Sequence, residues 1–298
     1  MFIKKDLRKI DEIFDDDKDP RESLKLSKRS SEFNGGIKPI CGETRIEKLN
    51  NIKQLNLYQN DLENIDGIGI FGDTPLCELN LGRNKLNTLP LEFGKLQSLK
   101  ELWLEDNHFE TFPISLCQLT SLESLKFSGN QLKEVPSGIS SLCNIHTLAL
   151  DNNSLMEFPH GLLQLKMLKH LWLRQNSITL IPDKICELFE LETLSVSSNK
   201  LSAIPKSIAK LFGLKFLYAN GNQLNSIPDE LITLESLVEL NIANNCLENL
   251  TDAFYVQFGD YDASVGTLKD GIKKDVKVTV VGNPFTKTQS QSPVKSWD

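Results

Sequence analysis

Nine asparagines recur at an almost constant interval, and this spacing constrains the fold more than any other feature of the chain. The first interval is 24 residues and each of the next seven is 23 residues. A fixed period of this length indicates structural repeats that stack on one another and bury a continuous core. The nine positions are Asn60, Asn84, Asn107, Asn130, Asn153, Asn176, Asn199, Asn222 and Asn245.

The repeat around Asn153 shows how each unit uses its residues. Leu148 and Leu150 are two positions apart, so both point from a short strand toward the core. Asn153 carries an acceptor and two donor hydrogens on a short side chain, which suits the backbone groups of a buried turn. Pro159 fixes φ and has no N–H, so the strand ends there. Leucines spaced by three in the return segment predict a 3₁₀ turn.

The pattern L-x-x-L-x-L-x-x-N-x-L around each asparagine resembles the consensus of the leucine-rich-repeat family. The 23-residue unit with L-x-x-L-P, as in residues 86–90, resembles the intracellular Ras-group members. These include the Ras suppressor protein, the Ras–Raf scaffolds, the plant intracellular Ras-group proteins and the Scribble-type scaffolds. The resemblance implies an α/β leucine-rich-repeat solenoid, or horseshoe, of about eleven strands. Its parallel sheet would form the concave face, and short 3₁₀ or irregular returns the convex face.

The two ends of the chain depart from the repeat. Residues 1–20 have apolar residues at helical spacing and are predicted to be an amphipathic segment that caps the array. The repeat domain is assigned to residues 21–285, with a degenerate first strand in which Arg29 replaces the asparagine. Residues 252–275 are predicted to form an enlarged return before the last strand. Residues 286–298 are polar and are predicted to be a disordered tail, where Ser292 followed by proline resembles a kinase site and is a candidate phosphorylation site.

Composition and motifs exclude several classes of function. A net charge of −7 disfavours a general nucleic-acid or membrane-surface binder, and the chain has no run of apolar residues long enough to insert into a membrane. The six cysteines form no C-x-x-C pair at either end, and residues 1–14 lack an apolar signal core, so a cytoplasmic location is predicted. Gly67-x-Gly69-x-x-Gly72 matches a dinucleotide motif, but the next predicted strand follows too soon for the helix that motif requires. The sequence predicts no catalytic residues, no metal and no cofactor.

Three side chains of each repeat are predicted to face away from the core, at six, four and two residues before the asparagine. Acidic residues concentrate near the N-terminal end of this set, and several aromatic residues are expected to be exposed, which is typical of contact sites. The predicted partner-binding residues are Tyr58, Glu78, Glu101, Trp103, Glu105, Lys126, Asp151, His170, Trp172, Arg174, Phe216 and Tyr218.

Trp103 and Trp172 occupy the same slot three repeats apart. Neighbouring strands are about 4.8 Å apart, so the two rings are expected about 14 Å apart, one in an acidic and one in a basic setting. They would anchor a protein partner. The competing interpretation is that each tryptophan only packs on its neighbours.

Family resemblance therefore points to a non-catalytic protein–protein interaction module or scaffold, in intracellular signalling of the GTPase type. One alternative is a regulatory or inhibitory subunit of an enzyme such as a protein phosphatase. An alternative of another class is the targeting module of a ligase-type effector that lacks its catalytic domain. The chain is expected to be a monomer that binds protein and not nucleic acid.

Overall fold

A computed structural model of the chain describes residues 9–14, 22–41, 49–273 and 275–289. The chain divides into two compact units. The first contains Met1–Ser154 and Pro159–Met167, and the second contains Leu155–Phe158 and Leu168–Asp298.

The described residues of the first unit form six short parallel strands that pair in chain order and in register. In each strand the middle residue is buried and the two flanking residues are half-buried, as alternation along a strand requires. The strands are β1 (Ser23–Lys25), β2 (Gln54–Asn56), β3 (Glu78–Asn80), β4 (Glu101–Trp103), β5 (Ser124–Lys126) and β6 (Thr147–Ala149).

In the second unit, the part of the chain that the structure describes forms seven strands in the order β7-β8-β9-β10-β13-β12-β11. Five of them are parallel, which together with the six of the first unit confirms the predicted eleven. The hairpin β11–β12 was not predicted; β12 pairs antiparallel with β13 and with β11. The strands are β7 (His170–Trp172), β8 (Thr193–Ser195), β9 (Phe216–Tyr218), β10 (Glu239–Asn241), β11 (Gly259–Asp262), β12 (Thr267–Asp270) and β13 (Lys277–Thr279).

The return segments are 3₁₀ turns, as the three-residue leucine spacing predicted. In seven repeats the residue before the turn is proline with φ between −64° and −69°, the value that its ring imposes. The 3₁₀ turns are Lys38–Ile40, Ile68–Asp73, Leu91–Lys95, Ile114–Gln118, Ser137–Ser141, His160–Gln164, Asp183–Glu187, Lys206–Lys210 and Asp229–Thr233.

The repeated asparagines form a hydrogen-bonded ladder. Asn107 is typical: its Oδ1 accepts the N–H of Leu86 at 3.0 Å, and its Nδ2 donates to Leu104 O in its own repeat and Leu81 O in the preceding one. These bonds satisfy backbone groups that the turn leaves unpaired, as predicted. Eight of the nine are buried, whereas Asn153 is half-buried.

A left-handed residue precedes every ladder asparagine and turns the chain so that the amide points inward. The φ value is 53° at Arg83 and 54° at Gln175, which residues with a Cβ adopt at some cost. Lys28 has the same conformation before Arg29, whose buried N–H donates to Asn60 Oδ1, so the degenerate first repeat keeps the geometry of the others. The ten positions that precede an asparagine are Gln59, Arg83, Asp106, Gly129, Asn152, Gln175, Ser198, Gly221, Asn244 and Gly282.

The glycines of the dinucleotide-like motif are explained by packing. Gly67 has φ of 89° at the start of the turn Ile68–Asp73. A Cβ on Gly69 would lie 2.7 Å from the Cβ of Glu92, and one on Gly72 would lie 3.0 Å from the Cβ of Lys95. The next turn leaves no room for larger residues.

Near the N-terminus, helix α1 (Ile10–Phe14) is the described part of the predicted cap. Ile10 is buried, and its N–H donates to Glu32 Oε2 at 2.8 Å, which attaches it to helix α2 (Ser30–Phe33). The rest of the segment 1–20 lies outside the described residues.

The enlarged return at the C-terminal end consists of helix α3 (Asp252–Phe258) and the hairpin β11–β12. Lys273 follows the hairpin, and its Nζ donates to Ile232 O at 2.8 Å and Leu234 O at 2.7 Å. Helix α4 (Pro284–Gln289) includes residues 286–289, which were assigned to a disordered tail. The remainder of that tail, with the candidate phosphorylation site Ser292, lies outside the described residues.

Candidate partner-binding faces

The outward residues of strands β1–β6, with the residue two positions beyond each strand, form a surface named here the first face. In its central row the strand register aligns Lys25, Asn56, Asn80, Trp103 and Lys126. The row therefore reads as a cation, two amides, an indole and a second cation on five neighbouring strands.

Trp103 is half-buried, not exposed as predicted. The Nζ atom of Lys126 lies 5.6 Å from the centre of its ring, a distance at which an ammonium is attracted to the face of an indole. Lys126 comes from β5, so it covers the ring from that side. The ring also lines a cavity together with residues of β1–β3, so part of it remains accessible from that side.

A cavity of about 430 Å³ lies on that accessible side of the first face. Trp103 forms one wall, and β1 lies at the opposite end. The other residues lining it are Ser23, Lys25, Gln54, Leu55, Asn56, Glu78 and Asn80.

The two asparagines in the cavity are oriented by the backbone. Asn56 Oδ1 accepts the N–H of Tyr58 at 3.0 Å, and Asn80 Oδ1 accepts the N–H of Gly82 at 3.0 Å. A backbone N–H needs an oxygen acceptor, so these bonds fix which end of each carboxamide is NH₂. Within the described part of the chain neither NH₂ group has an acceptor, so both present donors to the cavity.

The acidic residues of the first face have different environments. Glu78 Oε1 accepts a hydrogen bond from Gln54 Nε2 at 2.9 Å and lies beside Glu101 in register. Burial raises the pKa of Glu105, and the nearby Lys126 ammonium opposes that rise. Asp151 is half-buried on the same face.

Tyr58 is held at the edge of the first face. The guanidinium carbon of Arg83 lies 5.7 Å from the centre of the Tyr58 ring, and Arg83 also forms an ion pair of 3.2 Å with Asp106. The aromatic ring is again oriented by a cation.

The outward residues of β7–β10 and β13, with the residue two positions beyond each strand, form a second face. The rings of His170 and Trp172 are stacked, with centroids 5.6 Å apart. The rings of Phe216 and Tyr218 are also stacked, with centroids 6.4 Å apart. All four are half-buried, where the sequence predicted exposed aromatic residues.

Strand β8 lies between these two aromatic pairs and carries small residues. Thr193, Ser195 and Ser197 were predicted to face solvent, but all three are buried. Trp172 and Tyr218 are the register neighbours of Ser195, so a large ring flanks its small side chain on each side. The His170 Nδ1 atom lies 3.1 Å from Thr193 Oγ1, within hydrogen-bond distance.

The edge of the second face is polar. The Tyr218 hydroxyl donates to Glu239 at 3.2 Å, and Glu239 pairs with Lys277 at 2.8 Å. Burial and the adjacent carboxylate raise the pKa of Tyr218. Arg174 lies exposed on this face.

In residues 9–14, 22–41, 49–273 and 275–289, no group of three or more His, Cys, Asp or Glu side chains is placed to hold a metal ion. No helix in the described part of the chain has the length and apolar character needed to cross a membrane.

Comparison with known proteins agrees with the repeat architecture. The family model "Leucine-rich repeat region" matches residues 157–257, and the family model "Leucine rich repeat" matches residues 74–132. This is a leucine-rich-repeat protein. Neither model distinguishes the Ras-group type predicted from the sequence. A search of curated protein sequences returned no match.

Solved leucine-rich-repeat structures have the same fold. A TDR receptor is 28% identical with a TM-score of 0.64; the match covers 77% of this chain and 42% of the receptor chain. Internalin C2 of Listeria monocytogenes is 26% identical with a TM-score of 0.58, covering 64% of this chain and 80% of its own. Another internalin of that organism, InlF, is 20% identical with a TM-score of 0.58; the match covers 87% of this chain and 82% of the internalin chain.

The predicted site residues divide between the two faces. The first face brings together Tyr58, Glu78, Glu101, Trp103, Glu105, Lys126 and Asp151. The second face brings together His170, Trp172, Arg174, Phe216 and Tyr218. Sequence reasoning missed Lys25, Asn56 and Asn80 as a group. The signal was present, because counting back four residues from Arg29, Asn60 and Asn84 gives these three positions.

Proposed function

We propose that the two strand faces bind a protein partner and that the chain is a non-catalytic interaction module. The observation that carries this proposal is the preorganised aromatic side chains. Lys126 holds Trp103, and His170 stacks on Trp172. Aromatic residues that are already fixed lose little conformational entropy on binding, and tryptophan is enriched among the residues that dominate interface energies.

We also propose a cytoplasmic, monomeric protein of the Ras-group type. The 23-residue unit, with proline before the 3₁₀ turn in seven repeats, supports the group assignment. All six cysteines are free thiols, and Cys143 and Cys246 are exposed, which suits a reducing compartment. A role in GTPase-type signalling is part of this proposal and rests on the group resemblance.

The test is affinity capture with matched variants. Trp103→Ala and Trp172→Ala each remove a large ring from a strand face. Phe212→Ala removes an exposed ring from the opposite side of a repeat, after the turn Lys206–Lys210, and is the control. We expect the two tryptophan variants, singly or together, to lose a partner that the wild type and the Phe212 variant both retain.

Stability must be measured beside capture, because both tryptophans are half-buried. A melting point that falls only modestly, with an unchanged circular-dichroism spectrum, shows that the fold is retained. Full capture by the folded double variant would refute binding through the strand faces.

A further inference from the structure

We propose that the cavity on the first face binds the carboxyl-terminal end of a peptide whose last residue is arginine. The inference rests on the proposed function, since the peptide end belongs to the protein partner. It is carried by the distribution of charge and hydrogen-bonding groups along the cavity.

One end of the cavity attracts an anion. Lys25 makes no ion pair within the described residues, and it stands next to Asn56 in register. The NH₂ groups of Asn56 and Asn80 are additional donors. The Oδ1 atoms of the same side chains already accept backbone N–H groups. An ammonium and two amide donors on adjacent strands match the oxygens of a carboxylate.

The other end attracts a planar cation. Glu78 lines the cavity, and its carboxylate keeps acceptor capacity beyond the bond from Gln54. Glu101 is its register neighbour, and Trp103 offers the ring face that Lys126 does not cover. A guanidinium stacks on an indole and donates in-plane hydrogen bonds to carboxylates, which an ammonium does less well.

The spacing of the two ends fits one residue. Adjacent strands are about 4.8 Å apart, so a point between Asn56 and Asn80 is about 7 Å from Trp103 along the row. An extended arginine spans roughly 7 Å from its carboxyl carbon to its guanidinium carbon, from standard bond lengths. A carboxylate over the two amides therefore places the guanidinium beside Glu78 and the indole.

Other ligands use the cavity less completely. A side-chain carboxylate satisfies Lys25 but leaves Glu78 facing an anion. An internal arginine satisfies Glu78 but offers Lys25 and both amides only neutral carbonyl oxygens in place of a carboxylate. Only a group with both charges in this order pairs both ends.

Three small probes separate the two charges. Nα-acetylarginine carries both, Nα-acetylargininamide lacks the carboxylate, and Nα-acetylcitrulline lacks the cation. Binding is followed by the indole N–H signal of Trp103 in ¹⁵N-labelled protein, assigned with Trp103→Phe. We expect Nα-acetylarginine to bind about tenfold more tightly than either analogue, the usual effect of losing one charge-assisted hydrogen bond.

Two variants assign each end of the ligand. Lys25→Met is expected to weaken Nα-acetylarginine about tenfold and leave the amide unchanged. Glu78→Gln is expected to weaken Nα-acetylarginine about tenfold and leave Nα-acetylcitrulline unchanged. Equal affinities for the three probes, or equal losses of all three in either variant, would overturn the proposal.

A peptide pair separates the carboxyl terminus from other sources of the same charges. A hexapeptide ending in arginine is expected to bind, and the same peptide extended by two glycines to bind at least tenfold more weakly. Equal binding would contradict a terminal site. If these probes do not bind but the protein still captures a partner, only the cavity assignment is refuted. If the probes bind but no partner is captured, only the interaction function is refuted.

Discussion

The asparagine ladder predicts that neighbouring substitutions are worse together than the sum of their separate effects. Asn199 Oδ1 accepts the N–H of Ile178 at 2.9 Å, and its Nδ2 donates to Val196 O at 3.0 Å. Asn222 Nδ2 also donates to Val196 O at 3.0 Å. One carbonyl is therefore shared by the amides of two consecutive repeats.

A single substitution leaves that carbonyl with one donor. In Asn199→Ala the main loss is the partner of the buried Ile178 N–H, which costs about 2 kcal/mol of unfolding free energy. Asn222→Ala orphans the N–H of Leu201 in the same way, at a similar cost. Combining the two removes both donors from Val196 O. We therefore expect the double variant to lose about 1–2 kcal/mol of unfolding free energy beyond the sum of the two single losses, which is about 4 kcal/mol.

The matched control is Asn199→Ala with Asn245→Ala. Asn245 donates to the carbonyls of Ala219, Ile242 and Ala243, none of which Asn199 contacts. This pair should be additive within about 0.5 kcal/mol. Ser226→Ala, at an exposed position, should cost under about 0.5 kcal/mol and serves as the surface control.

Urea unfolding followed by circular dichroism measures these energies, with amide hydrogen exchange to locate the loss, because repeat arrays need not unfold in one step. Additive behaviour of the neighbouring pair would refute the shared-carbonyl argument. If the Asn199 and Asn245 substitutions were coupled as strongly as the Asn199 and Asn222 substitutions, the loss of stability would spread through the whole array.

Three further predictions concern single features. Replacing residues 259–272 by a short linker removes the strand that pairs with β13, so self-association through that edge is expected by sedimentation velocity; a monomer would contradict it. Gly129→Ala should destabilise the first unit, because φ is 71° and the added Cβ would meet the Asp106 carboxylate, whereas an unchanged urea midpoint would argue against this. Hydrogen bonds from Lys269 and Ser264 lower the pKa of Asp262 to about 2, so its contribution to hairpin stability is complete above pH 4 and lost as pH falls toward 2. A carbon-detected titration of Asp262 that gives an ordinary pKa would disprove this contact.

The repeat positions could be predicted from sequence because each has a local cause. The ladder asparagine pairs backbone groups that the turn leaves unpaired, and the proline found before seven turns has the φ that its ring imposes. The exposure of the aromatic residues could not be predicted in that way. It depends on the size of residues one repeat away, such as Ser195 beside Trp172 and Tyr218. The hairpin β11–β12 was missed for another reason, since residues 252–275 lack the period that carried the other assignments.

Prediction of the cavity residues from the sequence was limited in the same way, because their arrangement depends on contacts formed in the folded chain. Asn56 and Asn80 were placed correctly on the outward side from their distance to the ladder. Which end of each carboxamide faces solvent depends on a backbone N–H two residues later, and that contact exists only in the folded turn. The same count, taken back from Arg29, places Lys25 on the outward side, but its alignment with Asn56 follows from the strand register.

The left-handed residue before each ladder asparagine has a consequence for how this surface can diversify. The backbone there restricts shape: the eleven positions from Lys28 to Gly282 hold Lys, Gln, Arg, Asp, Gly, Asn and Ser, and no Val, Ile or Thr. It does not restrict charge, because many of these side chains, including Arg83, Asp106 and Gln175, extend into solvent beside the strand faces. Substitutions among unbranched polar residues can therefore change the charge beside the strand faces, one repeat at a time, while the asparagine ladder remains unaltered. Libraries restricted to those residue types at these positions would explore new specificities on an unchanged scaffold.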